Sequence, residues 1–440
     1  MAYQDHYGMY LEQLKEKVET AQKSPKTLVF GYTSNYDVVL QWDVKAYNEI
    51  LRKYLKEEPR MEEGDVIDSM ESFARITSDY LIKGLGGSID VTELKVCQTL
   101  NEIFQGEGAL GGTCAQGAAA LGSLGIPVVT CLTDWSGEVC SLLDNPGTSA
   151  VKGDKIVPIS ECVSLEDAVF HLILQFQKGD KLEIHGKTYE IPVSNRLILF
   201  YDTIHKYVRI SEDFLNYWDT RADKVSAYLA SGFDAIIDME VIRERMAQLA
   251  PHLAILKKEN PQAILYFEGA YYMNNNVKEY LCEKIAPYAD IFGMNEEELE
   301  VQMQKEGKEF SKNSLPSVLE ALRVLLKKYP IQGIVLHTKD YAMYFGRELP
   351  GIDMEQGLTI GNLMSGTRAR LGKYGTLEEL EESRGCMELS KDGLAFAAEL
   401  EELAPPEYVR LVPSRYLENP KYTIGLGDTF VAGVHTCFIR

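Results

Sequence analysis

The sequence predicts a doubly wound α/β protein: a central, mostly parallel sheet with helices on both faces, plus a smaller β-containing lid domain. Three observations predict it. Short apolar runs recur along the chain, several of them ended by glycine; helical stretches separate them; and between about residues 147 and 211 the pattern changes to brief β-like runs joined by turns. Short apolar runs suit strands buried on both faces, and their alternation with helices marks parallel α/β sheets.

An amphipathic helix at Tyr10 to Gln22 leads into Thr27-Leu28-Val29-Phe30-Gly31, the first buried strand. Ser34, Asn35 and Asp37 follow at once, where open α/β sheets place the groups that meet a ligand. A glycine-rich loop from Gly106 opens the small-residue helix Thr113 to Leu124, and Gly125-Ile126-Pro127-Val128-Val129 is the next strand. Lys181-Leu182-Glu183-Ile184 and Thr188-Tyr189-Glu190-Ile191, joined by His185-Gly186-Lys187, read as a hairpin within the lid. Further parallel strands are expected at Ala235-Ile236-Ile237, Ala263 to Tyr266, Asp290 to Gly293 and Gly333 to Leu336. Acidic helices at Leu377 to Glu382 and Glu399 to Glu402 present solvated faces before Pro405-Pro406. The expected organisation assigns 1–40, 106–146 and 212–440 to the large domain, 147–211 to the β-lid and 41–105 to a lid-associated segment.

At 440 residues and 45% hydrophobic composition the chain can bury a large core. A formal net charge of −21 argues against a surface that neutralises nucleic acid or anionic lipid. The eight cysteines are scattered, with no C-x-x-C pair and no zinc-like spacing, which fits reduced thiols in a cytoplasm. No apolar run approaches the roughly 20 residues that span a bilayer. A cytoplasmic location is expected, with neither nucleic acid nor membrane as partner.

The chemistry concentrates in Thr423-Ile424-Gly425-Leu426-Gly427-Asp428-Thr429-Phe430-Val431-Ala432-Gly433. Gly425 and Gly427 let main-chain amides approach a ligand, Leu426 among them, and the stretch after Asp428 can open a helix whose N-terminus attracts a phosphate. Asp428, at that first turn, can take a proton from an incoming hydroxyl. Alone, the same residues would more readily describe a glycine turn whose aspartate caps a helix.

Context favours the chemical reading. G-x-G-D-x-F-x-x-G resembles the signature of the ribokinase-like superfamily, as do Gly111-Gly112-Thr113 with Ala115 to Gly125, and Ser34-Asn35-Tyr36-Asp37. Within it the chain is similar to the ADP-dependent glucokinase and phosphofructokinase group. That likeness rests on Asn195-Arg196-Leu197-Ile198, Tyr266-Phe267-Glu268, Asn295-Glu296-Glu297-Glu298, Leu336-His337-Thr338-Lys339 and Gly366-Thr367-Arg368-Ala369. It implies a ribokinase-like fold and transfer of a phosphoryl group from a nucleotide, ADP, to a sugar or sugar phosphate. It further implies Asp428 as base, Arg196 closing over the transferred phosphate, and Asn35, Asp37, Gly111, Gly112, Thr113 and His185 on the sugar. His337, Thr338, Gly425 and Leu426 fall to the nucleotide. Glu268, Asn295 and Glu298 fall to Mg2+ or another divalent cation, an oxygen-rich set that suits it. Asn295 and Glu298 also form a helix-capping pattern. Tyr266 stands where the group has histidine.

Ser88, in place of a sugar-binding glutamate, leaves room for fructose 6-phosphate, and Lys187, Lys206 and Arg209 are the cations available to a sugar phosphate. Glucose remains the other acceptor. ATP as donor, a nucleoside as acceptor, or a non-catalytic sensor of sugar or nucleotide stay open on the residues alone.

Overall fold

The computed structural model describes residues 3–62, 64–166, 168–417 and 420–440. Ten strands form the main sheet, in the order Tyr408–Pro413, Tyr341–Gly346, Gly333–His337, Ile291–Asn295, Ile264–Glu268, Val225–Ala230, Thr27–Tyr32, Val128–Leu132, Thr148–Lys152 and Lys155–Pro158. The seven from Gly333–His337 to Thr148–Lys152 run parallel, and the outer strands are antiparallel additions. Successive side chains point to opposite faces. Val29, Tyr228, Leu265, Phe292 and Ile334 therefore meet the helices Glu212–Asp219, Met239–Glu259, Asn275–Ile285 and Leu315–Lys328. Leu28, Phe30, Leu229, Tyr266 and Val335 meet Tyr3–Lys23, Thr113–Gly122, Met354–Leu371 and Leu426–His435. Burial on both faces explains why these strands read as unbroken apolar runs.

The second sheet has the order Gly87–Asp90, Asn195–Tyr201, Phe170–Phe176, Asn35–Leu40, Glu107–Gly111 and mixes parallel with antiparallel pairs. Val38, Leu40, Leu172, Leu174, Leu197 and Leu199 face the helices Val44–Tyr54, Met70–Lys83 and Leu94–Phe104 and form a separate core. The alternate residues form the other face. Strand register sets Asp90, Phe200, His171, Asp37 and Ala109 in one row across it.

Several expectations shift. Asn35–Leu40 belongs to the second sheet, as does Glu107–Gly111, although 1–40 and 106–146 were expected in the large domain. The chain crosses between sheets through Thr33 and Ser34 alone, too short a passage for a boundary signal. Thr148–Lys152 and Lys155–Pro158 extend the main sheet rather than the lid. Ala235-Ile236-Ile237 is loop; Ile236 is buried in the core and the Ile237 carbonyl accepts from Asn274 Nδ2 at 2.7 Å. The strand lies at Val225–Ala230, whose serine and alanines dilute its apolar pattern. The hairpin at Lys181–Ile184 and Lys187–Glu190 forms as expected.

One helix contact bears on the site. Helices Met354–Leu371 and Leu426–His435 meet where Gly433 faces Gly361: a Cβ on Gly433 would lie 2.6 Å from the Gly361 Cα. The two main chains touch directly there.

Candidate active site

Three chain segments converge beyond the carboxyl end of Thr27–Tyr32, where the chain order in the sheet reverses direction and open α/β sheets form their ligand crevice. The first carries Ser34, Asn35 and Asp37. The second is Gly111-Gly112-Thr113, tied to the first by a hydrogen bond from the Ala115 amide to the Thr33 carbonyl at 3.2 Å. It passes so close that a Cβ on Gly111 would lie 2.0 Å from Asn35 Nδ2. The third is Gly425 to Asp428.

Gly425 adopts φ +65°, the left-handed conformation that favours glycine, and caps the helix Leu426–His435. The first amides of a helix lack intrahelical partners, so this end presents donors and the positive end of the helix dipole. Asp428 stands in that first turn, its Oδ2 accepting from Gln116 Nε2 at 2.8 Å. Burial pushes its carboxyl up, the Thr113 hydroxyl beside it pulls down, and Glu268 raises it again, to about 6. A carboxylate so tuned is ionised at neutral pH yet basic enough to take a proton.

Asn35 and Asp37 are buried at the base of the second sheet, with Asn35 Nδ2 donating to Asp37 Oδ1 at 2.6 Å. His171 joins them: its Nδ1 lies 3.0 Å from Asn35 Nδ2 and 3.5 Å from Asp37 Oδ1. Its Nε2 lies 3.8 Å from Asp202 Oδ2, which is 2.9 Å from His205 Nδ1. Burial alone would lower the His171 imidazole, but Asp202 and Asp37 hold its proton and lift it to about 9. Ligand atoms of His171, Asp202 and His205 fall within 4.8 Å of one another. Both His205 nitrogens are engaged, one with Asp202 and the other with Thr133 Oγ1 at 2.9 Å, while His171 faces Asp202 as an ion pair at 3.8 Å with its Nε2 lacking a hydrogen-bond partner among the described residues.

His185 is not in this group. It occupies the hairpin turn at φ +49°, beside Leu51, Arg52 and Leu55 on the helix-covered side of the second sheet, with its Nε2 3.2 Å from the Glu57 carbonyl. A two-residue hairpin turn of type I′ needs positive φ at both positions, and His185-Gly186 supplies them. Lys187 shares that hairpin, Arg209 is exposed and 3.3 Å from Glu166, and Lys206 acts on Asp90. His171 was missed because its strand pairs with Asn35–Leu40 across more than 130 residues of chain, a register no local pattern announces.

On the other side of Asp428 opens a cleft of about 540 Å³, lined by Asn295, His337, Thr338, Leu426, Gly427 and Phe430 among others. Of the expected nucleotide residues, His337, Thr338 and Leu426 line it, and Gly425 stands just before Leu426 outside the lining. His337 packs against Phe430, with ring centroids 5.0 Å apart, and its Nε2 lies 3.1 Å from Glu268 Oε1. Asn295 and Glu298 form a reciprocal cap on the helix Glu296–Lys305. Burial, then the neighbouring Glu268, raises the Glu298 carboxyl to about 7. Glu268 Oε2 is buried without a hydrogen-bond partner among the described residues. Two neighbouring carboxyls, one lacking a donor, fit a hard divalent cation better than they fit each other. Tyr266 is buried beside Glu268, its hydroxyl filling the space opposite Gly293.

Arg196 lies apart from these groups. It is exposed at the start of Asn195–Tyr201 and faces the same side as Phe200, four residues or about 13 Å along the strand from the His171 row.

A doubly wound sheet with a second β domain over the carboxyl ends of its strands is the architecture of ribokinase-like sugar kinases, and this chain is one of that class. More narrowly, it belongs to the family defined by the ADP-specific phosphofructokinase/glucokinase conserved region, which matches residues 26–436. It is 23% identical to an ADP-specific phosphofructokinase of Pyrococcus abyssi over 93% of this chain and 96% of the relative. It is 25% identical to an ADP-dependent glucose/glucosamine kinase of Pyrococcus furiosus over 95% and 96%. Its fold matches the crystal structure of a hypothetical ADP-dependent phosphofructokinase from Pyrococcus horikoshii with a TM-score of 0.80 at 19% identity, covering 94% of this chain and 98% of that one. No helix among the described residues is long and apolar enough to cross a membrane.

Proposed function

We propose that the chain transfers the terminal phosphoryl group of ADP to a hydroxyl of fructose 6-phosphate or glucose, with Asp428 as general base. One observation carries this: a half-buried carboxylate, tuned to about 6, stands in the first turn of a glycine-capped helix, with the polar cluster of Asn35, Asp37 and His171 on the second sheet and a cleft of about 540 Å³ lined by Leu426, Gly427, His337 and Thr338. The names of the relatives, a phosphofructokinase and a glucose/glucosamine kinase, support the two acceptors. Asn35, Asp37 and His171 orient the acceptor. Asp428 takes the proton of its hydroxyl as the oxygen attacks phosphorus, and AMP leaves. The amides at Gly425 to Asp428 cradle the phosphoryl group in flight. His337 and Thr338 meet the nucleotide, and Arg196 neutralises phosphate charge from the lid. Glu268, Glu298 and Asn295 would hold Mg2+, which when bound neutralises phosphate oxygens.

Asp428→Asn should lower kcat by about 100-fold or more while nucleotide affinity stays similar. Retained turnover would remove Asp428 from the base role. A panel of ADP and ATP against fructose 6-phosphate, glucose and nucleosides on purified protein fixes donor and acceptor. Chelation of divalent cations should abolish turnover and addition of Mg2+ restore it.

A further inference from the structure

We infer that Gln116 and Arg368 are positioning residues for the transfer: together they fix which oxygen of Asp428 faces the acceptor and hold that carboxylate in register with the phosphate cradle. The inference rests on the reading of Asp428 as base. Neither residue touches the cleft where the nucleotide is placed, and both are buried, at 2% and 3% exposure.

The geometry is over-determined. Arg368 Nη2 donates to Gln116 Oε1 at 2.8 Å. A guanidinium has no acceptor, so the amide oxygen of Gln116 must face it and the amide nitrogen must face the other way. That nitrogen donates to Asp428 Oδ2 at 2.8 Å, and the Tyr374 hydroxyl donates to the same Oε1 at 3.4 Å. Oδ2 of Asp428 is thereby occupied and its rotation stopped, leaving Oδ1, with the Thr113 hydroxyl beside the carboxylate, for the acceptor hydroxyl. The amide also fills the space under Gly425, where a Cβ would sit 1.8 Å from Gln116 Oε1.

Arg368 does more than orient the amide. Its Nε donates to the Ile424 carbonyl at 3.0 Å, the residue immediately before Gly425. The guanidinium itself lies against the rings of Tyr374, at 4.1 Å, and Tyr422, at 5.1 Å. A single fixed cation therefore reaches the base through Gln116 and the cradle through Ile424. A misplacement of about 1 Å between reacting groups can cost ~100-fold in rate, so a device that sets the spacing of base and cradle has catalytic value.

Two variants test this. Gln116→Leu should lower kcat by about 10- to 100-fold, with KM for ADP and sugar changed by less than about threefold. Gln116→Glu keeps the size and the partner of Arg368 but faces Asp428 with a second carboxyl group. Its deficit relative to wild type should be large at pH 8 and shrink toward pH 5.5, as the added carboxyl takes a proton and becomes a donor again. Glu268, Asp37 and Arg368, the charged groups that act on Asp428, are common to both proteins, while on the added carboxyl itself Arg368 favours the charged form and Asp428 the protonated one. An unchanged kcat in Gln116→Leu, or a deficit in Gln116→Glu that does not vary with pH, overturns the inference. Asp428→Asn separates the two levels: if it is inactive while Gln116→Leu matches wild type, only the positioning role fails; if it is active, the base reading fails first.

Discussion

At Asp428 the proposed chemistry and the stability of the fold oppose each other. Its folded carboxyl is raised to about 6, above the ordinary value, so the fold favours the protonated form. The stability this confers is full below the unfolded value near 4 and is lost as pH rises through about 6. Asp428→Asn should therefore melt higher than wild type at pH 8, by at most about 3 kcal/mol, and the gain should shrink at pH 5. Scanning calorimetry at the two values checks it. The same shift places the acid limb of kcat/KM near pH 6, with activity falling about tenfold per unit below it. Gly425→Ala should impair folding and turnover together, because alanine at φ +65° costs about 1–2 kcal/mol and its methyl displaces Gln116. Asp428, Gly425 and Gly427 were legible because their spacing is short and local. Gln116 was not, since its meaning comes from Arg368, 252 positions away.

At the scale of elements, the second sheet shows which signals survive in sequence. The hairpin around His185-Gly186 announces itself through its turn residues, yet it faces away from the cleft. The strand Phe170–Phe176 alternates His171, Ile173 and Gln175 on one face with core-facing Leu172 and Leu174 on the other. Turn chemistry is written in adjacent residues, whereas mixed-sheet register is decided by burial of a face shared with remote strands. His171→Ala should raise the KM for sugar by about tenfold or more, the loss of one charge-assisted hydrogen bond, while His185→Ala should leave it unchanged. Steady-state kinetics with varied sugar distinguishes them. The same reasoning explains Val225–Ala230 and the loop at Ala235: three apolar residues in a row can be strand or buried turn, and only the neighbouring strand chooses.

At the scale of the molecule, the helix-backed core of the second sheet is built from its own residues, apart from the two cores flanking the main sheet. Leu174→Ala, at a fully buried position there, should cost about 2–5 kcal/mol. Hydrogen exchange should show the loss in the strands Asn35–Leu40, Phe170–Phe176 and Asn195–Tyr201 and spare Val225–Ala230 and Ile264–Glu268. The Gly361–Gly433 contact has the opposite character. A joint made of main chain alone has no rotamers to populate and no methyl to compress, so the helix that bears Asp428 is seated against its neighbour as on a fixed stop. Under the proposed reading, redesign of the second sheet can alter what is brought to that helix while the datum from which the transfer distance is measured stays where it is.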